Sequence, residues 1–115
     1  MKELGARGEF LAARFLKGKG YRILEQNFKT PLGEIDIIAR DRNTLVFIEV
    51  KTRTSDSFGH PFEAVNARKK NKMKKLALFY LKKKGGESPA RFDVISIFSR
   101  DGKKEIDHII DAFEV

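Results

Sequence analysis

Two apolar stretches joined by a short polar turn constrain the fold of this chain more than any other feature. The first spans residues 34–39 and the second residues 45–51, and both are rich in β-branched side chains. Between them, residues 41–44 are of the turn-forming kind. This pattern predicts a β-hairpin.

The hairpin pattern also predicts which polar side chains meet. Side chains alternate across a strand, so a loop of two residues (42–43) or of four (41–44) places Asp36 directly opposite Glu49. Their Cβ atoms would then lie about 4.5–5.5 Å apart, with Lys51 beside them opposite Glu34. A three-residue loop would mix polar and apolar faces, which argues against it. The other face is expected to be core and carries Ile35, Ile37, Ala39, Val46, Ile48 and Val50.

Two carboxylates side by side in a half-buried strand pair repel each other unless a positive group compensates them. A divalent cation with oxygen ligands would do so, and Mg²⁺ typically uses one or two carboxylates together with phosphate oxygens. The alternative is that Glu34, Asp36, Glu49 and Lys51 form ordinary ion pairs on a solvated sheet face.

A third carboxylate comes from the first predicted helix, which spans residues 2–19 and ends at Gly20. Glu9 lies within about 60° of four small or apolar positions on this helix, namely Gly5, Ala12, Ala13 and Leu16. An inward-facing carboxylate is unusual. Glu9 is therefore either a boundary residue paired with a nearby base or a third acid directed at Asp36 and Glu49.

Composition restricts the function classes. The 115 residues are expected to form one domain, 1–115, and they include no cysteine, which excludes disulfides, thiolate metal sites and cysteine nucleophiles. No apolar run approaches a membrane span and no secretion leader is evident, so a cytoplasmic protein without membrane contact is expected. The formal net charge of +8 favours a polyanionic partner, with nucleic acid ahead of an acidic membrane.

The remaining elements alternate between strands and a second helix. Residues 21–28 and 91–98 are predicted strands, and Asp101-Gly102 predicts a hairpin turn that returns through residues 105–110. The polar loop 52–61 could carry phosphate contacts through Arg53 and its hydroxyls, or could be a solvated connector. Asp93 is interpreted as a structural ion-pair partner rather than a ligand. His60 and His108 are interpreted as incidental, because neither has neighbouring zinc ligands in the sequence.

The second helix, predicted from Pro61 to Gly85-Gly86, is strongly cationic. Residues 68–84 hold nine basic residues and no acid, although ordinary solvated helix faces mix both signs. An anionic partner would relieve this repulsion; the alternative is a merely soluble surface. The candidate nucleic-acid contacts are Arg53, Arg68, Lys69, Lys70, Lys72 and Lys74.

On these residues the chain resembles the YraN-like family of small bacterial proteins, within the PD-(D/E)XK, restriction-endonuclease-like superfamily. The resemblance covers nearly the whole chain: Gly8-Glu9 with Ala12, Gly20-Tyr21, Asn27, residues 33–36 and 47–53, Phe58-Gly59-x-Pro61, Lys69-Lys70, and residues 91–94. The superfamily's Pro is absent, since Ile35 precedes Asp36. The set Glu9, Asp36 and Glu49-x-Lys51 is also similar to archaeal Holliday-junction resolvases.

The expected fold is α/β, with a central mixed sheet of about five strands flanked by helices, restriction-endonuclease-like. The resemblance implies a Mg²⁺-dependent endonuclease, with Mn²⁺ as an alternative ion, acting on DNA rather than RNA and on branched or otherwise structured DNA. Asp36, Glu49 and Glu9 would hold the metal, and Lys51 would stabilise the transition state. A junction substrate would call for a homodimer.

Two non-enzymatic interpretations remain open at this point. One is a nucleic-acid-binding module whose carboxylates are degenerate or structural. The other is a protein-interaction adaptor that would use Phe58 and Phe62.

Overall fold

Five strands and two helices make up the computed structural model, which describes residues 2–53, 67–85 and 88–113. In chain order they are α1 (Lys2–Gly18), β1 (Arg22–Thr30), β2 (Gly33–Asp41), β3 (Thr44–Arg53), α2 (Ala67–Lys84), β4 (Ala90–Arg100) and β5 (Lys103–Phe113). Each predicted element within these ranges is present, with ends displaced by a few residues. Pro61, His60, Phe58 and Phe62 lie outside the described residues.

The strands form one mixed sheet in the order β1-β2-β3-β4-β5. Neighbouring strands are antiparallel except β3 and β4, which run parallel. A parallel pair needs a crossover connection, and α2 lies in the segment that joins these two strands. The predicted α/β class with a five-stranded mixed sheet is confirmed. Within the described ranges, neither helix is long and apolar enough to span a membrane.

The turns explain the register of the hairpins. Asp41 pairs with Thr44 across the two-residue loop 42–43, and the pairing continues to Ile37 and Ile48. The turn at Asp101-Gly102 has both residues at positive φ, 52° and 75°, as a type I′ turn requires.

Each face of the sheet packs against one helix, which produces two apolar layers. The α2 layer contains Phe28, Ile35, Ile38, Leu45, Phe47, Met73, Leu76, Ala77, Tyr80, Phe92 and Val94. The α1 layer contains Ala12, Ala13, Leu16, Tyr21, Ile37, Ala39, Val46, Ile48, Ile95 and Ile97. The predicted core face is confirmed for Ile37, Ala39, Val46, Ile48 and Val50, which belong to the α1 layer or pack against it. Ile35 was misplaced, because it packs in the α2 layer, where Ile38, Leu45 and Phe47 make the opposite face of the hairpin apolar as well.

Strand β2 changes its facing at Asp36, which was also not expected. Ile35 packs in the α2 layer although Ile37, two residues later, packs in the α1 layer. On the neighbouring strand β1, Phe28 pairs with Ile35 and Gln26 pairs with Ile37. Asn27 lies between these two pairs, and its φ is 53°. On the other side, the regular β2–β3 pairing ends at Ile37 and Ile48. The interrupted alternation therefore centres on Asp36.

Candidate active site

Asp36 lies where strands β2 and β3 stop pairing through their backbones. Extending the register from Ile37 and Ile48 by one residue places Asp36 opposite Glu49. Beyond the last backbone pair, the side chain of Asp36 links the two strands, because its Oδ2 accepts a hydrogen bond of 2.8 Å from the backbone N–H of Val50. The side chain is thus held against β3 beside Glu49.

The surroundings of Asp36 oppose its ionisation. The pKa of Asp36 is raised from 3.8 to about 6, and burial is the largest cause. The negative charges of Glu9, Glu49 and Glu34 contribute to the rise, and the hydrogen bond from Val50 offsets part of it. Asp36 therefore lies close enough to three other carboxylates for their charges to act on it.

Glu9 reaches this region because α1 packs very closely on β3. A methyl group on Gly8 would overlap the Oγ1 atom of Thr52, so only glycine allows this approach of helix to strand. Glu9 follows directly and is partly buried. Its negative charge raises the pKa of Asp36 more than the charges of Glu49 and Glu34 do.

Glu49 has two differently placed oxygens. Its Oε1 atom contacts the Lys69 ammonium in an ion pair and lies 3.5 Å from Lys51 Nζ. Its Oε2 atom is buried and has no hydrogen-bond partner among the described residues. Such an atom is costly unless a cation, a donor or a water meets it.

Two ammonium groups compete for Glu49. Burial lowers the pKa of Lys51, and nearby Lys69 lowers it further, against the opposing effect of Glu49. Burial also acts to lower the pKa of Lys69, but its contacts with Glu49 and Lys51 and the charge of Asp36 outweigh it and raise that pKa. Lys69 is therefore the nearer counter-ion of Glu49, and Lys51 lies farther from the same oxygen.

Ser96 was not singled out from the sequence, yet it lies next to this group. It pairs with Lys51 across the parallel strands β3 and β4, so the two side chains share the sheet face toward α2. Its Oγ is buried and lacks a partner among the described residues, like Glu49 Oε2. A lone serine in the apolar strand 92–97 was the available signal.

The predicted basic contacts are distributed along α2. Arg68 and Lys72 are exposed, whereas Lys69, Lys70 and Lys74 are partly buried. Lys72 passes over Gly33, where an added methyl group would lie 2.6 Å from its Cε. Lys69 pairs directly with Glu49, which was not predicted from the sequence. Arg53 ends β3, and its side chain lies outside the described part of the structure.

The donor set fits a hard cation with many water ligands. Among the described residues, no three carboxylate, histidine or cysteine side chains are grouped as a ready metal cage. Mg²⁺ does not require one, because it keeps several waters and uses one or two carboxylates. Asp36, destabilised as an anion, and Glu49 Oε2, which has no partner in the described part of the chain, could supply such oxygen ligands. Glu9 could join them through water.

A separate polar cluster is structural. Asp93 is fully buried and accepts hydrogen bonds from Arg91 (3.0 Å) and from the Asp111 backbone N–H (2.9 Å), and His108 Nε2 lies 2.7 Å from it. Burial raises the pKa of Asp93, but these partners outweigh it and leave the pKa lowered. The ion-pair interpretation of Asp93 is confirmed. Treating His108 as incidental was wrong, because β5 places its ring in contact with this carboxylate.

The comparisons with known proteins agree with this architecture. The model of the uncharacterised protein family UPF0102 matches residues 8–97. A UPF0102 protein of Thermodesulfovibrio yellowstonii is 56% identical over 96% of this chain and 96% of its own length. Others come from Syntrophomonas wolfei, 51% identical over 97% of this chain and 98% of its own length, and Caldanaerobacter subterraneus subsp. tengcongensis, 45% identical over 97% and 95%. The sheet and its flanking helices are consistent with the restriction-endonuclease-like architecture. The chain belongs to the UPF0102, or YraN-like, family.

Proposed function

We propose that this protein is a Mg²⁺-dependent endonuclease that hydrolyses phosphodiester bonds in DNA, including branched or otherwise structured DNA. The observation that carries the proposal is the buried oxygen of Glu49, unpartnered among the described residues, beside an Asp36 whose ionisation its surroundings oppose. A bound cation would satisfy the first group and stabilise the charge of the second. We place the activity in the cytoplasm, which suits a chain without cysteine.

The roles follow from the geometry. Asp36 and Glu49 would bind the cation, with Glu9 acting through water, and Mg²⁺ bound there would polarise the scissile phosphate. Lys51 lies 3.5 Å from Glu49 Oε1, and it would stabilise charge that develops on the phosphate. Ser96, beside Lys51, offers a hydroxyl to the same region.

DNA binding is assigned to the α2 surface. The last turn of helix α2 contains Lys82, Lys83 and Lys84, and its first turn contains no acidic residue. Basic side chains on one helix contact phosphates without reading base sequence. Because α2 also supplies Lys69 to the carboxylates, a backbone held along this helix would pass close to them. Cutting both strands of a junction would need a two-fold dimer.

The test is a cleavage assay on linear, flapped and four-way DNA with Mg²⁺, Mn²⁺ or a chelator. Cleavage should require the metal, and Asp36→Asn or Glu49→Gln should reduce the rate by about a hundredfold or more. DNA affinity should change little, because neither variant removes a basic group. Lys51→Ala should lower the rate more than the affinity.

Matched controls lie toward the turn of the β4–β5 hairpin, where Asp101 and Glu105 are exposed. Asp101→Asn and Glu105→Gln make the same chemical changes away from the site and should leave cleavage unchanged. If no metal yields product while the wild type binds DNA, the chain is a binding module and the carboxylates are structural. Cleavage undiminished in Asp36→Asn would show that the assignment is wrong.

A further inference from the structure

The contact between Lys69 and Glu49 has a role that the catalytic scheme does not use. Lys69 comes from α2 on the sheet face toward which Glu49 projects, and its ammonium pairs closely with Glu49 Oε1. Lys51 is farther from the same oxygen, at 3.5 Å. The negative charge of Asp36 also acts on Lys69. One ammonium thus lies in the field of both proposed metal ligands.

We propose that Lys69 is the internal counter-ion of Glu49 in the metal-free protein, and that its ammonium and a divalent cation compete for that carboxylate. The inference rests on the proposed metal site. It assigns Lys69 a positioning role: Lys69 holds Glu49 in place without metal and withdraws when the metal binds.

The two lysines differ in how easily they can leave. Lys51 is on the same strand as Glu49, two residues away, and its side chain is 24% exposed. Lys69 belongs to a different element, and its side chain is 31% exposed at the end of a flexible four-carbon stem. Long basic side chains readily move their charged end into water while the stem stays packed. Lys69 pairs more closely with Glu49 than Lys51 does, but its ammonium can withdraw into water without any movement of β3, so Lys69 is the group that a divalent ion would displace.

Competition follows from the charges. A divalent ion bound at Glu49 would lie within a few ångströms of the Lys69 ammonium, and like charges at that distance disfavour each other in a partly screened site. The buried Oε2 of Glu49 gives the incoming ion a second oxygen that Lys69 does not use. Metal binding and the Lys69 contact thus depend on one carboxylate.

The experiment measures binding of Mn²⁺ alone to the full chain, by the electron paramagnetic resonance signal of the free ion. Lys69→Gln should bind Mn²⁺ at least about tenfold more tightly than the wild type, because one positive charge is removed beside the ion. Lys69→Arg keeps the charge and should match the wild type. Lys75→Gln, an exposed position on the same helix, is the control and should also leave the affinity unchanged.

Two further measurements make the outcome decisive. In a Glu49→Gln background, Lys69→Gln should no longer tighten binding, since the shared carboxylate is gone. Should Lys69→Gln fail to fold, as judged by circular dichroism, Lys69→Met keeps the aliphatic stem and replaces it in every comparison.

Unchanged or weaker Mn²⁺ binding in a folded Lys69→Gln protein would overturn the counter-ion role. If that protein still cleaved DNA, the proposed nuclease function would stand. If neither the wild type nor any variant bound Mn²⁺ and no DNA were cleaved, the metal site itself would be refuted, and the counter-ion role with it.

Discussion

Replacing Asp36 by asparagine should stabilise the metal-free protein at neutral pH. The wild-type carboxylate has a pKa raised to about 6 in the folded state, against 3.8 as its ordinary value. Below 3.8 it is protonated in both states and adds nothing. Between these values the unfolded chain ionises while the folded chain keeps its proton, so stability falls as the pH rises. Above 6 the cost is complete and amounts to about 3 kcal/mol.

Asparagine has no such cost, and its amide oxygen can still accept the N–H of Val50. The variant should therefore exceed the wild type by up to about 3 kcal/mol in free energy of unfolding at pH 7.5, a difference that vanishes near pH 4. Urea denaturation in chelator between pH 4 and 8 measures it, with Asp101→Asn in the exposed β4–β5 turn as the matched control. The pH effects of other groups, Asp93 among them, cancel in the comparison.

The reasoning would be refuted if Asp36→Asn were less stable than the wild type at pH 7.5. A difference that stayed constant from pH 4 to pH 8 would refute it equally, since only a titrating group can give the slope. Adding Mg²⁺ should reduce the advantage of the variant, because the proposed site would bind the ion more tightly with Asp36 than with asparagine.

Three other predictions follow from the packing and the charges. Gly8→Ala should destabilise the protein by about 1–3 kcal/mol through overlap with the Thr52 hydroxyl. In a Thr52→Ala background the same change should become stabilising by up to about 1 kcal/mol, because alanine favours a helix more than glycine does. Thermal unfolding with and without Gly8→Ala in each of the two backgrounds tests this. Asp93→Ala should cost about 3–5 kcal/mol in urea denaturation, because Arg91, His108 and the Asp111 N–H all lose the buried carboxylate that they share, and Arg91 keeps only its contacts with Asp41 and Tyr21 among the described residues. An effect below about 1 kcal/mol would contradict the structural role. Neutralising Lys70, Lys72 and Lys74 of α2 together should weaken DNA binding and reduce its log–log salt slope by about 0.9 for each phosphate that the protein no longer neutralises. An unchanged slope would remove α2 from the DNA interface.

The sequence was informative wherever a strict period or turn chemistry applied. Alternation along two short strands, with a loop of even length, was sufficient to predict the pairing that brings Asp36 next to Glu49. The Asp101-Gly102 turn was equally readable, since few dipeptides suit two positive φ values.

What was missed depends on tertiary placement. The change of facing at Asp36 accompanies a positive φ at Asn27, on another strand, and local propensity does not determine either. The Lys69 contact depends on how α2 is laid over the sheet, so in sequence Lys69 looked like its basic neighbours. The His108 contact depends on the register of β4 with β5, which places His108 opposite Ile95, two residues from Asp93 on the same face of β4.

The β2–β3 hairpin also has a consequence for how the chain folds. Asp36 and Glu49 lie on strands joined by a two-residue loop, whereas the parallel pairing joins Leu45 to Ala90. Local hairpins form within microseconds, and the long loop of a parallel pair is closed at a greater entropic cost. We therefore expect the two carboxylates to be brought together before β4 docks. Removing their repulsion should then speed folding more than it slows unfolding.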